Sequence, residues 1–328
     1  MLRYCLTLTV QGARYFVSRP LAEMERQGRA KSGEPAASTP DQILVQGQAF
    51  VEEWLLRVLP TRDAPPARLH GAMHDAVFPG GRRARPMLCR LIADRYGGGD
   101  DEMVGRMAAA VELVHCASLV QDDLPCFDDA ATRRGLPSCH KIYGQATAIL
   151  VGDALLTLAF ETLASAPGRK AAVAFRLMGV LTSATGSSNG IIGGQALELE
   201  PHPVDINHYH KQKTAALFRA AAAGGAICCG AEQDVSRWAR LGELMGCALQ
   251  LRDDLDDVEG TEASLGKPAG RDAALGRPNA ALYGGLENAR AMRTAIIDGV
   301  AELLGPATPE TEALRLLVEE VTRPAPRR

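Results

Sequence analysis

The 328-residue sequence is poor in aromatic side chains, with Phe, Trp and Tyr together making up only 5% of it. Sheets are usually filled by aromatic and β-branched residues, whereas the plentiful Ala and Leu favour helices, so the shortage argues against a sheet-built core. An excess of one charge is also missing. Lys and Arg number 36 against 39 Asp and Glu, for a net charge of −3 and a pI near 6.2. This excludes the basic character of most nucleic-acid-binding domains. No unbroken run of about 18 apolar residues occurs, so no membrane span is expected. Cysteine spacing patterns are absent too. Cys5, Cys89, Cys116, Cys126, Cys139, Cys228, Cys229 and Cys247 include no CxxC pair or zinc-finger spacing. Their mostly apolar surroundings fit buried, reduced thiols in a cytoplasmic protein. No repeat of fixed period is found either.

What is present is helical. Hydrophobic residues make up 46% and charged residues 23%, an ordinary globular balance in a chain long enough for one or two domains. The opening Met1 to Pro20 has a short apolar patch broken by Gln11 and Arg14, without a signal-cleavage pattern. Gly33, Pro35 and Pro40 follow in a polar stretch. Residues 1–41 therefore read as an N-terminal extension and linker, and 42–328 as the functional domain. Apolar residues then recur at steps of three and four: Ile43, Phe50, Trp54 and Leu55, and later Val104, Met107, Val111, Val114 and Leu119. Further helices are expected over 147–163, 171–185, 208–223, 236–255, 280–304 and 309–321, with no competing strand alternation. The fold class is all-α.

Two aspartate clusters lie about 130 residues apart. The first runs Asp122, Asp123, Leu124, Pro125, Cys126, Phe127, Asp128, Asp129, with His115 and Ser118 on the stripe leading to Asp122. Pro125 removes an amide donor, so a kink there would turn Asp128 towards the face of Asp122. The second runs Asp253, Asp254, Leu255, Asp256, Asp257, and places Asp253 and Asp257 one turn apart on one face. Crowded carboxylates on apolar helices raise one another's pKa unless a cation intervenes. All-oxygen donors without His or Cys point to Mg²⁺, which completes its octahedron with waters and phosphate oxygens. A phosphorylated substrate is implied.

Cations suited to such a substrate are also present. Gly80, Gly81, Arg82, Arg83, Ala84, Arg85, Pro86 sets a permissive loop before a helix starting near Pro86, and Arg133, Arg134, Gly135 follow the first cluster. Guanidinium forks match diphosphate oxygens. His208 and His210 lack partners at zinc spacing and read as helix-surface histidines.

The stretch from His115 through Asp122–Asp129 to Arg133-Arg134-Gly135 resembles the first aspartate-rich motif of the trans-isoprenyl diphosphate synthases, and Asp253–Asp257 resembles the second. The likeness runs from about Gln42 into the late helices, through Gly193-Gly194-Gln195, Lys213-Thr214, Gln250 and Leu265-Gly266-Lys267-Pro268. Cys116 to Leu119 and Leu275 to Pro278 are most similar to bacterial geranylgeranyl diphosphate synthases of carotenoid and bacteriochlorophyll pathways. The resemblance implies an isoprenoid-synthase bundle of antiparallel helices around a central cavity, and a cytoplasmic homodimer.

It also implies roles. Asp122, Asp123, Asp128, Asp253, Asp254 and Asp257 form the set that would hold three Mg²⁺ ions on the diphosphate of an allylic substrate (dimethylallyl, geranyl or farnesyl), with Asp122, Asp128, Asp253 and Lys213 carrying catalysis. Arg133, Lys213, Thr214, Gln250 and Lys267 would flank that substrate, while Arg82, Arg85, His115 and Arg134 would anchor isopentenyl diphosphate. Gln195 is a further polar support. Ala117, Ser118 and Val114 would line the floor beneath the first cluster, and small residues there favour a geranylgeranyl over a farnesyl product. Arg82 stands where the family usually has Lys, Leu249 where Phe is common, and Glu198 where Asp is frequent. Three alternatives remain: a farnesyl synthase; a noncatalytic partner subunit, a class that typically loses one cluster; and a terpene cyclase or head-to-head synthase, which the isopentenyl-site residues disfavour.

Overall fold

The computed structural model describes residues 7–10, 13–16, 38–78, 80–200, 204–260 and 270–323. Lys267 lies outside them. The chain divides into two units, residues 1–37 and 38–328. In the first, β1 (Thr7–Val10) pairs antiparallel with β2 (Ala13–Phe16), from Thr7 opposite Phe16 to Val10 opposite Ala13. Strands were not expected from the sequence. Thr7, Thr9, Val10, Tyr15 and Phe16 are the β-branched and aromatic types that suit a pleated pair.

The second unit is helical apart from one small hairpin among its described residues. Helix α1 (Pro40–Val58) opens with a capping box, in which Thr39 and Gln42 exchange side-chain and backbone hydrogen bonds and Pro40 occupies the first turn. Helices α2 (Ala67–Val77) and α3 (Ala84–Asp94) follow, with α3 starting two residues before Pro86. Asp100 accepts from the amides of Glu102 and Met103 and so starts α4 (Asp101–Asp122). Next come β3 (Thr132–Arg133), β4 (Leu136–Pro137), α5 (Cys139–Tyr143), α6 (Gln145–Ala164), α7 (Ala171–Thr185) and α8 (Ile191–Leu197). Helix α9 (Ile206–His210) runs through a π-helical turn (Lys211–Ala215) into α10 (Ala216–Cys228). The chain continues with α11 (Val235–Glu259), α12 (Arg271–Leu275), α13 (Ala280–Gly284), α14 (Leu286–Leu304) and α15 (Pro309–Thr322). The single helix expected over 280–304 is broken at Gly285, whose φ of 83° lies in the left-handed region.

Helices α4 and α10 form the centre. Both are apolar on nearly every side, as a helix must be when neighbours surround it. α4 packs against α1, α3, α6 and α10; α10 packs against α3, α7 and α11. Composition and length alone would let α4 and α6 cross a bilayer, although neither is an unbroken apolar run. Most of α4 is instead buried inside the protein, whereas α6 leaves Ile149 and Leu150 exposed. Cys89, Cys116, Cys228 and Cys247 are buried as expected of reduced thiols, but Cys126 is exposed in the turn after α4. The chemistry gathers where α4 ends and α11 passes the π-helical turn.

Candidate active site

Helix α4 does not kink at Pro125; it ends at Asp122, and Asp123 caps it. Beyond the end the chain folds into a turn, with the Asp128 amide donating to the Asp122 carbonyl over 2.9 Å and the Asp129 amide to Leu124 over 3.0 Å. The turn replaces the expected kink and brings Asp128 back beside Asp122, because the carbonyls of a finished helix need new donors. Asp129 has a φ of 43°, a tight geometry for a residue with a Cβ.

The hairpin that follows turns through Arg134 and Gly135 at φ of 54° and 78°, the two positive values that a two-residue turn of matching twist requires. Gly135 takes such a φ at no steric cost, whereas Arg134 is held there under strain. Arg133 in β3 reaches back to Asp123, donating from Nε to its two carboxylate oxygens over 3.0 and 3.1 Å. Arg134 lies against Gly81, where a Cβ would meet the guanidinium at 3.1 Å. The Gly80–Arg85 loop is pinned by Arg83, which is left-handed at φ 49° and has a fully buried side chain. Its guanidinium donates to Glu52, Glu112 and the Val77 carbonyl, each over 2.8 Å. Burial pushes its pKa down, but Glu112 and Glu52 reverse this and hold it above the usual arginine value.

On the opposite wall, the π-helical turn inserts an extra residue and so presents Lys213 and Thr214 differently from a regular helix, a distortion common at functional sites. Gly193 and Gly194 let α8 come close, since a Cβ on Gly194 would stand 2.3 Å from the Lys213 amide nitrogen. That approach sets Glu198 beside Lys213, which donates to it together with Tyr209 and Gln195. Thr214 donates to the Gln250 carbonyl oxygen, and Gln250 donates to Asp254 over 3.0 Å.

These walls border one solvent-open cavity of about 420 Å³. Asp122 and Asp253 both line it. Of the remaining predicted residues it gathers Arg82, Arg85, His115, Arg133, Arg134, Lys213 and Thr214, with Ser118 at the end of α4. Arg85 donates to Nε2 of His115 over 3.2 Å and lies 4.5 Å over the Phe218 ring. Burial lowers the Arg85 pKa to about 10. Burial and the positive charges of Arg85 and Arg134 also hold His115 well below the ordinary imidazole range, so it is a neutral acceptor. Ala117 and Val114 are buried in α4 outside the cavity's lining.

Four predicted acids lie outside that lining; of these Asp128 stays next to Asp122 and is paired with Arg277, and the other three point elsewhere. Asp123 is buried, faces a separate neighbouring pocket and is paired with Arg133. Asp254 is completely buried and accepts from His210 over 3.0 Å, from Gln250, and from the Ala280 amide over 2.8 Å. Consecutive residues on a helix diverge by about 100°, so Asp123 and Asp254 face inward where Asp122 and Asp253 face the cavity. They hold the wall together rather than offer oxygens to an ion. Asp257 is buried too and accepts from the Asp272 amide over 3.2 Å, so it does not share the exposure of Asp253. His210 is not a surface histidine, being buried against Asp254; His208 is exposed, with its Nε2 2.8 Å from Gln212 Nε2.

Four residues were not singled out for these roles by sequence reading. Arg252 pairs with Asp253, and Arg277 pairs with Asp128 and lies 4.0 Å from Glu198. Arg83 and Glu198 are the hubs described above. Their only sequence signal was position beside a recognisable motif.

The donor set suits Mg²⁺. Burial raises the Asp122 pKa to about 6, and Glu198 and Asp128 add to that rise against the opposing Lys213. The acids around Asp122 thus carry negative charge that an additional cation would relieve. Among the described residues no three His, Cys, Asp or Glu side chains close into a chelating cage. An open set of carboxylates fits an ion that keeps water and takes substrate phosphate oxygens.

The family model described as Polyprenyl synthetase matches residues 66–319. A geranylgeranyl diphosphate synthase of Cereibacter sphaeroides is 43% identical over 234 residues, covering 71% of this chain and 80% of that protein. The crystal structure of an FPP/GFPP synthase from Zymomonas mobilis superposes with a TM-score of 0.74 at 31% identity, over 86% of this chain and 98% of the other. A Helicobacter pylori geranyltransferase complexed with magnesium and isoprenyl diphosphate gives 0.72 at 29% identity, over 88% and 99%.

Proposed function

The chain belongs to the polyprenyl synthetase family, and from that premise we propose that it is a trans-prenyltransferase adding isopentenyl diphosphate to an allylic diphosphate, with geranylgeranyl diphosphate as its product. The observation that carries this reading is that Asp122 and Asp253, one from each cluster, line a single cavity with Arg82, Arg85, Arg133, Arg134 and Lys213.

Asp122, Asp128 and Asp253 would hold Mg²⁺, three ions by resemblance to the family. When bound, these ions supply positive charge to the departing diphosphate and so lower the cost of breaking the allylic carbon–oxygen bond. Lys213 and Arg133 flank the same position and add fixed charge. Each charged hydrogen bond they make to a diphosphate oxygen contributes on the order of 1.5 to 3 kcal/mol. Arg82, Arg85 and Arg134 suit the second diphosphate, with neutral His115 accepting from Arg85 and holding its fork in place. The isopentenyl double bond then adds to the allylic cation, and the adduct loses a proton. No protein base is assigned, because His115 already accepts from Arg85 and the released diphosphate is an adequate acceptor.

Small Ala117 and Ser118 support a long product, and a second copy of the chain is the proposed partner. The exposed Ile149 and Leu150 of α6 support that pairing. The carotenoid pathway rests on the resemblance alone, and a cytoplasmic setting on the resemblance together with the buried free thiols. Incubating the protein with Mg²⁺, isopentenyl diphosphate and each allylic primer tests the proposal: the dephosphorylated product should be mainly the C20 alcohol. A mainly C15 alcohol would make it a farnesyl synthase, and no product from any primer would favour a noncatalytic subunit.

A further inference from the structure

Arg277 reaches the first aspartate cluster from 149 residues away in sequence. Its guanidinium donates to Asp128 and lies 4.0 Å from Glu198, and its side chain is only 16% exposed. The backbone is built to aim it. Gly276 ends α12 in the left-handed region at φ 65°, and the Arg277 amide donates to the Asp272 carbonyl over 2.8 Å. Asn279 then donates to the Asp272 carboxylate over 2.8 Å and to the Asp254 carbonyl over 3.2 Å, while the Ala280 amide holds the Asp254 carboxylate. Arg277 is therefore mounted on the knot that buries part of the second cluster, yet its charge is delivered to the first.

We propose that Arg277 is a displaceable counter-cation, which holds Asp128 and Glu198 in the metal-free enzyme and from which an arriving divalent ion must take those carboxylates. The inference rests on the magnesium reading above. A guanidinium and a metal ion both need negatively charged oxygen, and a carboxylate engaged in a charged hydrogen bond is a poorer ligand. The two cations therefore oppose each other by linkage: whatever Arg277 contributes to holding the acids is subtracted from metal affinity in the substrate-free state. The arrangement also has a purpose in the empty protein. Asp128 and Glu198 stand next to Asp122; Lys213 already donates to Glu198, and Arg277 adds a second cation that meets Asp128 and lessens the repulsion among the three acids. Arg277 thus ties the first cluster to the knot around Asp254 until the metal replaces it.

Arg277 is a positioning residue in this account, and the test reads metal binding rather than turnover. Mn²⁺, a stand-in for Mg²⁺ visible by electron paramagnetic resonance, is titrated into the full chain without substrate. Arg277→Gln should bind it about tenfold more tightly than the wild type, the expected direction when a competing charged hydrogen bond is removed. Arg277→Lys keeps the charge but cannot fork across two acids, and should bind about threefold more tightly. Affinity unchanged or weakened in Arg277→Gln overturns the proposal; if that variant does not fold, the same result in Arg277→Lys does so. Wild-type protein that binds no Mn²⁺ at millimolar concentration overturns the magnesium reading with it, whereas wild-type binding without tightening in the variants overturns this inference alone.

Discussion

A neutral histidine among arginines is the residue on which the proposed isopentenyl side of the cavity turns. His115 stays uncharged because it is buried and faces Arg85 and Arg134. Its folded pKa lies below the unfolded value of about 6.5, so below that pH the unfolded chain takes up a proton that the folded protein refuses. The contribution is fully present above about pH 6.5 and is lost as the pH falls towards the folded pKa. Urea unfolding between pH 7.5 and 5 should therefore show wild-type stability declining more steeply than that of His115→Asn; parallel curves would mean that His115 is protonated in the folded protein. At this scale the sequence was legible where charge type and motif position alone picked out residues that line the cavity, as at Asp122, Asp253, Arg85 and Lys213. It was not legible where two like residues adjoin: nothing in the pairs Asp122-Asp123 or Asp253-Asp254 names the inward member. Burial against Arg133 and His210 decides that, and those partners come from other elements.

Among the elements, the close approach of α8 to the π-helical turn sets the wall that carries Lys213 and Thr214. The spacing of helices was readable from apolar periodicity, and 171–185 agrees with α7 at both ends. The π turn was not, because a continuous helical pattern over 208–223 hides one inserted residue. The turn after Asp122 was read as a kink for the same reason: proline signals a break but not its form. Gly194→Ala would put a methyl group 2.3 Å from the Lys213 amide nitrogen and force the two elements apart. Overpacking of that kind costs about 1 to 3 kcal/mol. Displacing Lys213 by as little as ~1 Å would cost about a hundredfold in turnover. Urea unfolding and steady-state kinetics check both, and wild-type kcat in the variant would show that the approach does not position Lys213. Helix α4 carries the companion prediction. Ala117 sits one turn before Asp122 and is buried, so Ala117→Phe should shorten the principal product, read as a shift from the C20 to the C15 alcohol. An unchanged distribution would overturn the proposal that α4 limits product length.

For the molecule as a whole, the decisive feature is convergence. The all-α fold and the presence of acidic clusters and arginines suited to phosphates were legible because helices follow from composition and charged motifs follow from spacing. That the two clusters face one cavity depends on how α4, α10 and α11 pack, which no local pattern encodes. The β1–β2 hairpin was missed because its strands are only four residues each, too short to outweigh the helical signal of the remaining chain. The most direct measurement of the central claim is calorimetric binding of a non-ionisable allylic thiolodiphosphate to wild type, Asp122→Asn and Asp253→Asn, each with saturating Mg²⁺ and with chelator. The account predicts tight binding by the wild type only with Mg²⁺, and loss of that metal-dependent gain in both variants while their thermal melting stays within a few degrees of wild type. Equal affinity in chelator, or an undiminished Mg²⁺ effect in either variant, would contradict it.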